Sequence, residues 1–158
     1  MVSASDTHFR LATAADVPSL VEMETRFYAN EGYPFDPAEA AALFNLLFRE
    51  PERGRVWVAA RGERLVGYLI LTFGFSIEFH GIDALVDEVY FEPEARGLGL
   101  GTQALAVAEA ECVRLGIRAI HLAVERRNTK AQALYRKIGF KDHDRFLMTK
   151  SLPPGANK

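Results

Sequence analysis

Leu85-Val86-Asp87-Glu88-Val89-Tyr90-Phe91-Glu92-Pro93-Glu94-Ala95-Arg96-Gly97-Leu98-Gly99-Leu100-Gly101-Thr102 joins a strand, a turn and a helix in eighteen residues, and the rest of the chain can be placed around it. Its first seven residues are β-type and largely apolar, and two adjacent carboxylates interrupt them. That pattern predicts a buried central strand. Pro93 stops it, because a proline cannot donate to a strand ladder. A glycine-dense turn follows, and a helix begins inside that turn. A strand that ends in glycines and opens a helix is an anion site: unpaired backbone N–H groups and the positive end of the helix dipole face one spot.

Three glycine-loop chemistries compete for this turn. A phosphate-binding P-loop needs Lys followed by Ser or Thr after its last glycine, whereas Gly101 is followed directly by Thr102. A dinucleotide fingerprint needs G-x-G-x-x-G after a first strand. Here the glycines fall at 97, 99 and 101, in mid-chain. The third pattern, Arg-x-x-Gly-x-Gly, is met by Arg96, Gly99 and Gly101. It resembles the pyrophosphate-binding motif of the GNAT superfamily of N-acetyltransferases. A plain glycine turn that merely starts a helix is the rival reading. Downstream, Asn128, Ala131, Leu134-Tyr135 and Gly139-Phe140 resemble the second signature of that family, in the expected order and spacing. The resemblance extends, more loosely, over residues 8–150.

Composition sets the outer bounds. A chain of 158 residues favours one domain with a proper core. The expectation is a single acetyl-CoA-binding domain over residues 1–150 and a flexible tail over residues 151–158. A net charge of −2 gives no broad basic surface for nucleic acid or an anionic membrane. Cys112 is alone, so no internal disulfide framework exists. No run approaches the ~18 apolar residues of a membrane span, and the N-terminus does not read as a signal peptide, so a cytoplasmic protein is expected.

Along the chain, His8–Ala12 alternates as a first strand. A helix follows with Asp16 at its cap and Pro18 in its first turn. Leu20, Val21, Glu24, Phe27 and Tyr28 share one side of that helix. Asp36 and Pro37 start a second helix with an apolar stripe through Ala40, Leu43, Phe44, Leu47 and Phe48. Val56–Ala60 and Leu65–Leu71 read as a hairpin around Arg61-Gly62-Glu63-Arg64. The helix after the glycine turn carries Leu105, Ala108, Cys112 and Leu115, and Gly116 closes it. Ile117–Val124 reads as a buried strand, residues from about Thr129 to Ile138 as a short helix, and Phe140–Thr149 as a last strand. This order fits an α/β (α+β) fold: a mixed, mostly antiparallel central sheet with helices on both faces, as the resemblance also implies.

The resemblance implies acetyl-CoA as co-substrate, with no metal. Gly97, Gly99 and Gly101 permit close backbone approach. The N–H groups of Leu98, Gly99, Leu100, Gly101 and Thr102 would hold the pyrophosphate, with Arg96 adding to them. The backbone of Val89, Tyr90 and Phe91 would pair with the pantetheine arm. Asn128 resembles a residue that contacts the same arm, with a helix-cap role as its rival; Ala131 belongs to the same motif. Tyr135 matches the position of the family's general acid, against the plainer reading of a packed tyrosine. Asp87 and Glu88 are the candidate bases, with Glu88 favoured. Adjacent strand residues point to opposite faces, so both can serve one pocket only if the strand bulges.

Acetyl transfer needs an amine that has lost its proton, and the expected acceptor is a small cationic amine. By resemblance, Tyr28, Glu31, Tyr33 and Phe35 flank one side of the acceptor cleft and Phe75, Glu78, His80 and Asp83 the other. Aromatic faces together with carboxylates suit an ammonium group. Peptide amines are the main competing acceptors, and a CoA-binding module with little turnover is the rival from another class. A homodimer is an expectation from the family alone. Cys112 and Trp57 read as core. The four histidines show no metal-ligand spacing.

Overall fold

The computed structural model describes residues 6–153. Residues 1–5 and the end of the expected tail, 154–158, lie outside the described residues. Two compact units divide the chain, Met1–Ala123 and Val124–Lys158.

In the first unit five strands lie side by side in chain order: β1 (Thr7–Leu11), β2 (Gly54–Arg61), β3 (Arg64–Ser76), β4 (Gly81–Phe91) and β5 (Ile120–Leu122). The first three pairings are antiparallel, and β4 pairs with β5 in parallel. The switch has a cause in the connection. α3 (Leu100–Arg114) lies between β4 and β5, and a helical crossover returns the chain in the same direction, where a tight turn reverses it. The sheet is therefore mixed and mostly antiparallel, as the sequence implied.

Successive strand residues point to opposite faces, and the core divides accordingly. Val58, Tyr68, Ile70 and Tyr90 pack with Val17, Leu20, Met23 and Phe44. The latter four come from α1 (Val17–Glu31) and α2 (Pro37–Arg49). Ala59 and Phe91, each next in sequence to a member of that first cluster, instead pack with Ala95 and with Leu100 of α3, and Val66 joins them because it is the extra residue of a bulge where Ala59 pairs with Gly67 and Ala60 with Leu65. Helices thus cover both faces of the sheet.

Local chemistry sets the element ends. Asp36 caps α2 by accepting from the N–H groups of Ala38 and Glu39. Asp16 behaves otherwise than expected. It sits in a short 3-10 turn, Ala14–Asp16, and its carboxylate takes two hydrogen bonds of 2.8 Å from Arg10 and one from the Thr13 N–H. The Arg10 guanidinium holds the Asp16 carboxyl down to about 2. The turn thereby ties β1 to the start of α1.

In the second unit α4 (Thr129–Lys137) is capped by Asn128, whose side-chain oxygen accepts from the Ala131 N–H at 3.1 Å. Gly139, at a φ of 107°, ends it. The expected last strand is a correction: among the described residues 140–153 none is in a strand. The segment is held instead by local contacts. Asp142 pairs with Arg136 at 2.7 Å, and the Arg126 guanidinium lies over the Phe146 ring at 5.1 Å. Phe146, Leu147 and Met148 are three consecutive exposed apolar residues. They lack the alternation that stabilises a strand with one buried face. The fifth strand is also shorter than the expected Ile117–Val124, covering only Ile120–Leu122.

Candidate functional site

The site is built around one irregularity in β4. Ile70 pairs with Glu88 and Leu71 pairs with Val86, so Asp87 is an extra residue without a partner on β3. This is the β-bulge that the two adjacent carboxylates require if both are to serve one place. Bulges re-aim side chains, and here the result is that Glu88 turns toward α1. Its two oxygens are taken by two phenols. Tyr28 of α1 donates to Oε1 at 2.7 Å, and Tyr68 of β3 donates to Oε2 at 3.0 Å. Asp87 is exposed in the bulge.

Burial raises Glu88, while the two tyrosine hydroxyls pull it the other way, because they stabilise the charged form. The phenols respond in turn. Burial and the neighbouring Glu88 carboxylate push both Tyr28 and Tyr68 upward, so both remain protonated donors at neutral pH.

A second carboxyl faces Glu88. Glu24 lies one helical turn before Tyr28, which places both on one side of α1. Only 7% of Glu24 is exposed. Burial, and then the charge of Glu88, raise its carboxyl to about 8. Asp87 bears on Glu24 as well. Sequence reading missed Glu24 and Tyr68 as site residues. The signal for Glu24 was present: it is a charged residue within an otherwise apolar helical stripe. Nothing in the sequence separates Tyr68 from a core tyrosine.

Beside this cluster the strand is open. β4 pairs with β5 only over Ala84–Val86. Past the bulge, the stretch Val89-Tyr90-Phe91 has β3 on one side and no strand on the other among the described residues. Strand edges present unpaired N–H and C=O groups to a ligand.

The open edge runs into the glycine turn. Gly97 and Gly99 take left-handed φ values of 77° and 78°, a conformation that any residue with a Cβ adopts at a cost. Nothing lies within 4 Å of where a Cβ would stand on either one, so the space above the turn is open to a ligand. Gly99 forms the start of α3 without a side-chain cap. The N–H groups of Leu100, Gly101 and Thr102 occupy the first helical turn, where no earlier carbonyl can accept from them. Leu98 and Leu100 anchor the turn in the apolar cluster beneath. The Arg96 side chain folds back onto β4: its Nε donates to the Phe91 carbonyl at 2.8 Å, and its guanidinium lies 5.6 Å from the centre of the Tyr90 ring. These features fit an extended ligand ending in a phosphate group.

The expected acceptor residues separate into two places. Tyr28 stands at Glu88, and Phe35 packs on the Tyr28 ring at 5.1 Å. Glu31 ends α1, and Tyr33 is exposed in the following loop. Phe75, Glu78 and His80 lie at the β3–β4 turn, where His80 takes a φ of 65°. Phe75 pairs with Ile82, six residues before Glu88, or about 20 Å along a strand. Asp83 approaches Nε2 of His121 at 3.4 Å. In the second unit, Tyr135 lies on α4, half-buried and 5.9 Å from Phe140, and burial pushes its phenol up. The Asn128 oxygen makes the helix cap described above, and Ala131 donates the N–H that it receives.

Cys112 is buried, and burial raises its thiol to about 11, as suits a core residue. A separate cavity of about 640 Å³ lies among α1 and the β2–β3 turn, lined by Glu22, Arg26, Arg64 and Glu92 among others. It holds none of the residues named above as catalytic. Its buried Glu92 is fully engaged by the Arg26 guanidinium at 2.6 Å and the Tyr90 hydroxyl at 3.0 Å. Among the described residues no group of three or more His, Cys, Asp or Glu is placed to hold a metal ion. No helix among them is long and apolar enough to cross a membrane.

Comparison with known proteins bears on this arrangement. The chain is 46% identical over 61 residues to a mycothiol acetyltransferase of Geodermatophilus obscurus, a match covering 37% of this chain and 20% of that enzyme. It is 29% identical over 82 residues to the thialysine N-epsilon-acetyltransferase of Bos taurus, covering 52% and 48%. The chain thus spans less than half the length of each. Among solved structures, an integron cassette protein from the mobile metagenome of Cole Harbour Salt Marsh superposes with a TM-score of 0.83 at 35% identity, over 93% of this chain and 91% of that one. A model of the Acetyltransferase (GNAT) family matches residues 17–140. With the bulged central strand, its open edge and the glycine turn already in place, that match settles the family: the chain belongs to the GNAT acetyltransferases.

Proposed function

We propose that the chain transfers acetyl from acetyl-CoA to the primary amine of a small cationic molecule, by direct attack of the amine on the thioester, with residues 1–150 serving as one catalytic domain. The observation that carries this reading is Glu88. It stands at a bulge beside an open strand edge, with both oxygens held by phenols.

Acetyl-CoA supplies an activated acetyl group and a phosphate-bearing handle. The chain supplies the rest. The N–H groups from Leu98 to Thr102, in the turn and the first turn of α3, hold the pyrophosphate, and Gly97 and Gly99 keep the approach clear. The open edge of Val89, Tyr90 and Phe91 receives the pantetheine arm in the manner of an added strand. An N–H of the same strand steadies the developing negative oxygen. Asn128 and Ala131 complete the binding of the arm. Tyr135 gives its proton to the departing thiolate. A phenol raised by burial is protonated at neutral pH, as a donor must be.

Glu88 takes the proton of the acceptor amine, directly or through a water, with Asp87 in reserve. An alkylamine with a pKa of about 10 is almost wholly protonated at neutral pH, so attack requires this step. Tyr28 and Phe35 offer aromatic faces to the ammonium group. Glu31, Tyr33, Phe75, Glu78, His80 and Asp83 are proposed to meet the more distant parts of the acceptor.

The test is a panel of polyamines, amino-sugars, amino acids and short peptides, read by release of free CoA thiol from wild type and Glu88→Gln. Small cationic amines should turn over. Glu88→Gln should lose most rate at low pH and recover in part as pH rises. Activity on peptides alone would move the acceptor to a chain N-terminus. Acetyl-CoA binding without turnover on any amine would favour a sensor module.

A further inference from the structure

The site holds one more group than the proposed chemistry has used. Glu24 is more than nine-tenths buried on α1, and its carboxyl meets that of Glu88. Among the described residues no arginine, lysine or histidine pairs with either carboxyl. The two hydroxyls nearby, those of Tyr28 and Tyr68, both donate to Glu88. Glu24 is therefore left facing an anion, with no donor of its own. A buried carboxylate in that position is expensive. Two carboxyls so placed cannot both ionise until something positive comes between them.

The two phenols decide how the pair resolves this. Because they stabilise the charge of Glu88, the proton rests on Glu24. We infer, on the acetyltransferase reading above, that Glu24 is the second half of the base: the empty site holds one proton between Glu24 and Glu88, and exchanges it for the ammonium group of the acceptor. Asp87 from β4, Tyr28 from α1 and Tyr68 from β3 are the other titratable groups that face the pair.

The proton count closes. The ammonium group enters, and the proton on Glu24 leaves to water, so the cation lies between two carboxylates. One N–H proton then passes to the pair, which restores the one-proton state and frees the amine lone pair. The amine nitrogen forms its bond to the acetyl carbon as the carbon–sulfur bond breaks. A second N–H proton is lost in that step and, through water, makes good the proton that Tyr135 gives to the departing thiolate, so the net yield is one amide, one free thiol and the one proton already released. Only a primary or secondary amine that arrives protonated matches this sequence. The pair therefore selects cations, and an alcohol of the same shape is refused.

The inference is testable without turnover. Infrared difference spectroscopy on protein carrying ¹³C-labelled glutamate reports a protonated carboxyl as a distinct band. n-Butylammonium serves as the probe and 1-butanol as its uncharged counterpart. Wild type at pH 7 should show one carboxylic-acid band that titrates near pH 8. Glu24→Gln should lack it. Glu88→Gln should keep it, with its titration lowered by a unit or more once the neighbouring charge is gone. n-Butylammonium should remove the band at pH 7 and release about one proton per chain into weakly buffered solution, while 1-butanol should do neither. Absence of the band in wild type, its persistence in Glu24→Gln, binding of the ammonium without proton release, or no binding of it at any accessible concentration would each overturn the inference. Because no acetyl-CoA is present, failure of acetyl transfer leaves this result standing, and failure here leaves the GNAT fold and its CoA site untouched.

Discussion

Tyr68→Phe isolates the contact on which the charge of Glu88 depends. The substitution removes one oxygen and leaves a fully buried ring, stacked on Tyr90 at 5.7 Å, in place. What it deletes is a 3.0 Å hydrogen bond to a carboxylate. A hydrogen bond to a charged group is worth about 1.5–3 kcal/mol, and one pKa unit is about 1.4 kcal/mol. If the bond favours only the ionised form, Glu88 should titrate about one to two units higher in the variant. Tyr28→Phe removes the 2.7 Å bond to the other oxygen and should act alike. Because Glu24 faces Glu88, the two carboxyls titrate as a pair, and the lower of the two apparent values is the one that should move. The assay is ¹³C NMR of the glutamate side-chain carboxyls against pH. Tyr90→Phe is the control, since its hydroxyl serves Glu92 instead. A Glu88 titration that overlays the parent's in both Tyr68→Phe and Tyr28→Phe, or that moves equally in Tyr90→Phe, would refute the reasoning.

Other expectations follow from the same geometry. Gly99→Val forces a side chain into a left-handed conformation, which costs about 1–2 kcal/mol of stability, and it narrows the phosphate approach. Acetyl-CoA binding by calorimetry should weaken at least tenfold, while Gly62→Ala, at a comparable φ of 59° in the β2–β3 turn, should bind as wild type. Tyr135→Phe should lower kcat far more than it raises KM for acetyl-CoA, the pattern of an interaction made in the transition state. Unchanged kcat, in a reaction limited by chemistry, would return Tyr135 to a packing role. Glu24 should also mark the stability curve. Its carboxyl is raised from an ordinary 4.5 to about 8, so between those values the folded chain binds more protons than the unfolded one. Stability therefore falls as pH rises through that window, by up to about 5 kcal/mol across about 3.5 pH units. In urea unfolding, Glu24→Gln should match wild type near pH 5 and exceed it near pH 8; superimposable curves at both pH values would contradict this.

How much of this was legible in the sequence depended on the range of the interaction concerned. The β4–glycine turn–α3 unit was legible because its signals are local. Pro93 stops a strand, Gly99 takes a left-handed φ, and Leu100 starts a helix. The helices on both faces followed from apolar stripes. The bulge at Asp87 was legible only as a condition. Two adjacent carboxylates needed it only if both were to serve one pocket, and register between β3 and β4 is a pairing fact that one strand does not contain. Tyr68 and Glu24 reach Glu88 across 20 and 64 positions of chain, and no local rule encodes such a meeting. Glu24 nonetheless left a trace as a carboxylate inside an apolar stripe. The misread last strand has the opposite lesson. Phe146-Leu147-Met148 has strand-like composition, but composition without alternation or a partner does not make a ladder.

On the proposed function, the open edge of β4 and the glycine turn together receive acetyl-CoA. Amide hydrogen exchange, with and without acetyl-CoA, tests it most directly. Exchange should slow among the N–H groups of Val89–Phe91 and Leu98–Thr102, with β1 and α2 unchanged. Protection confined to the cavity around Arg26 and Arg64, or none at all in β4 and the glycine turn under saturating acetyl-CoA, would contradict it.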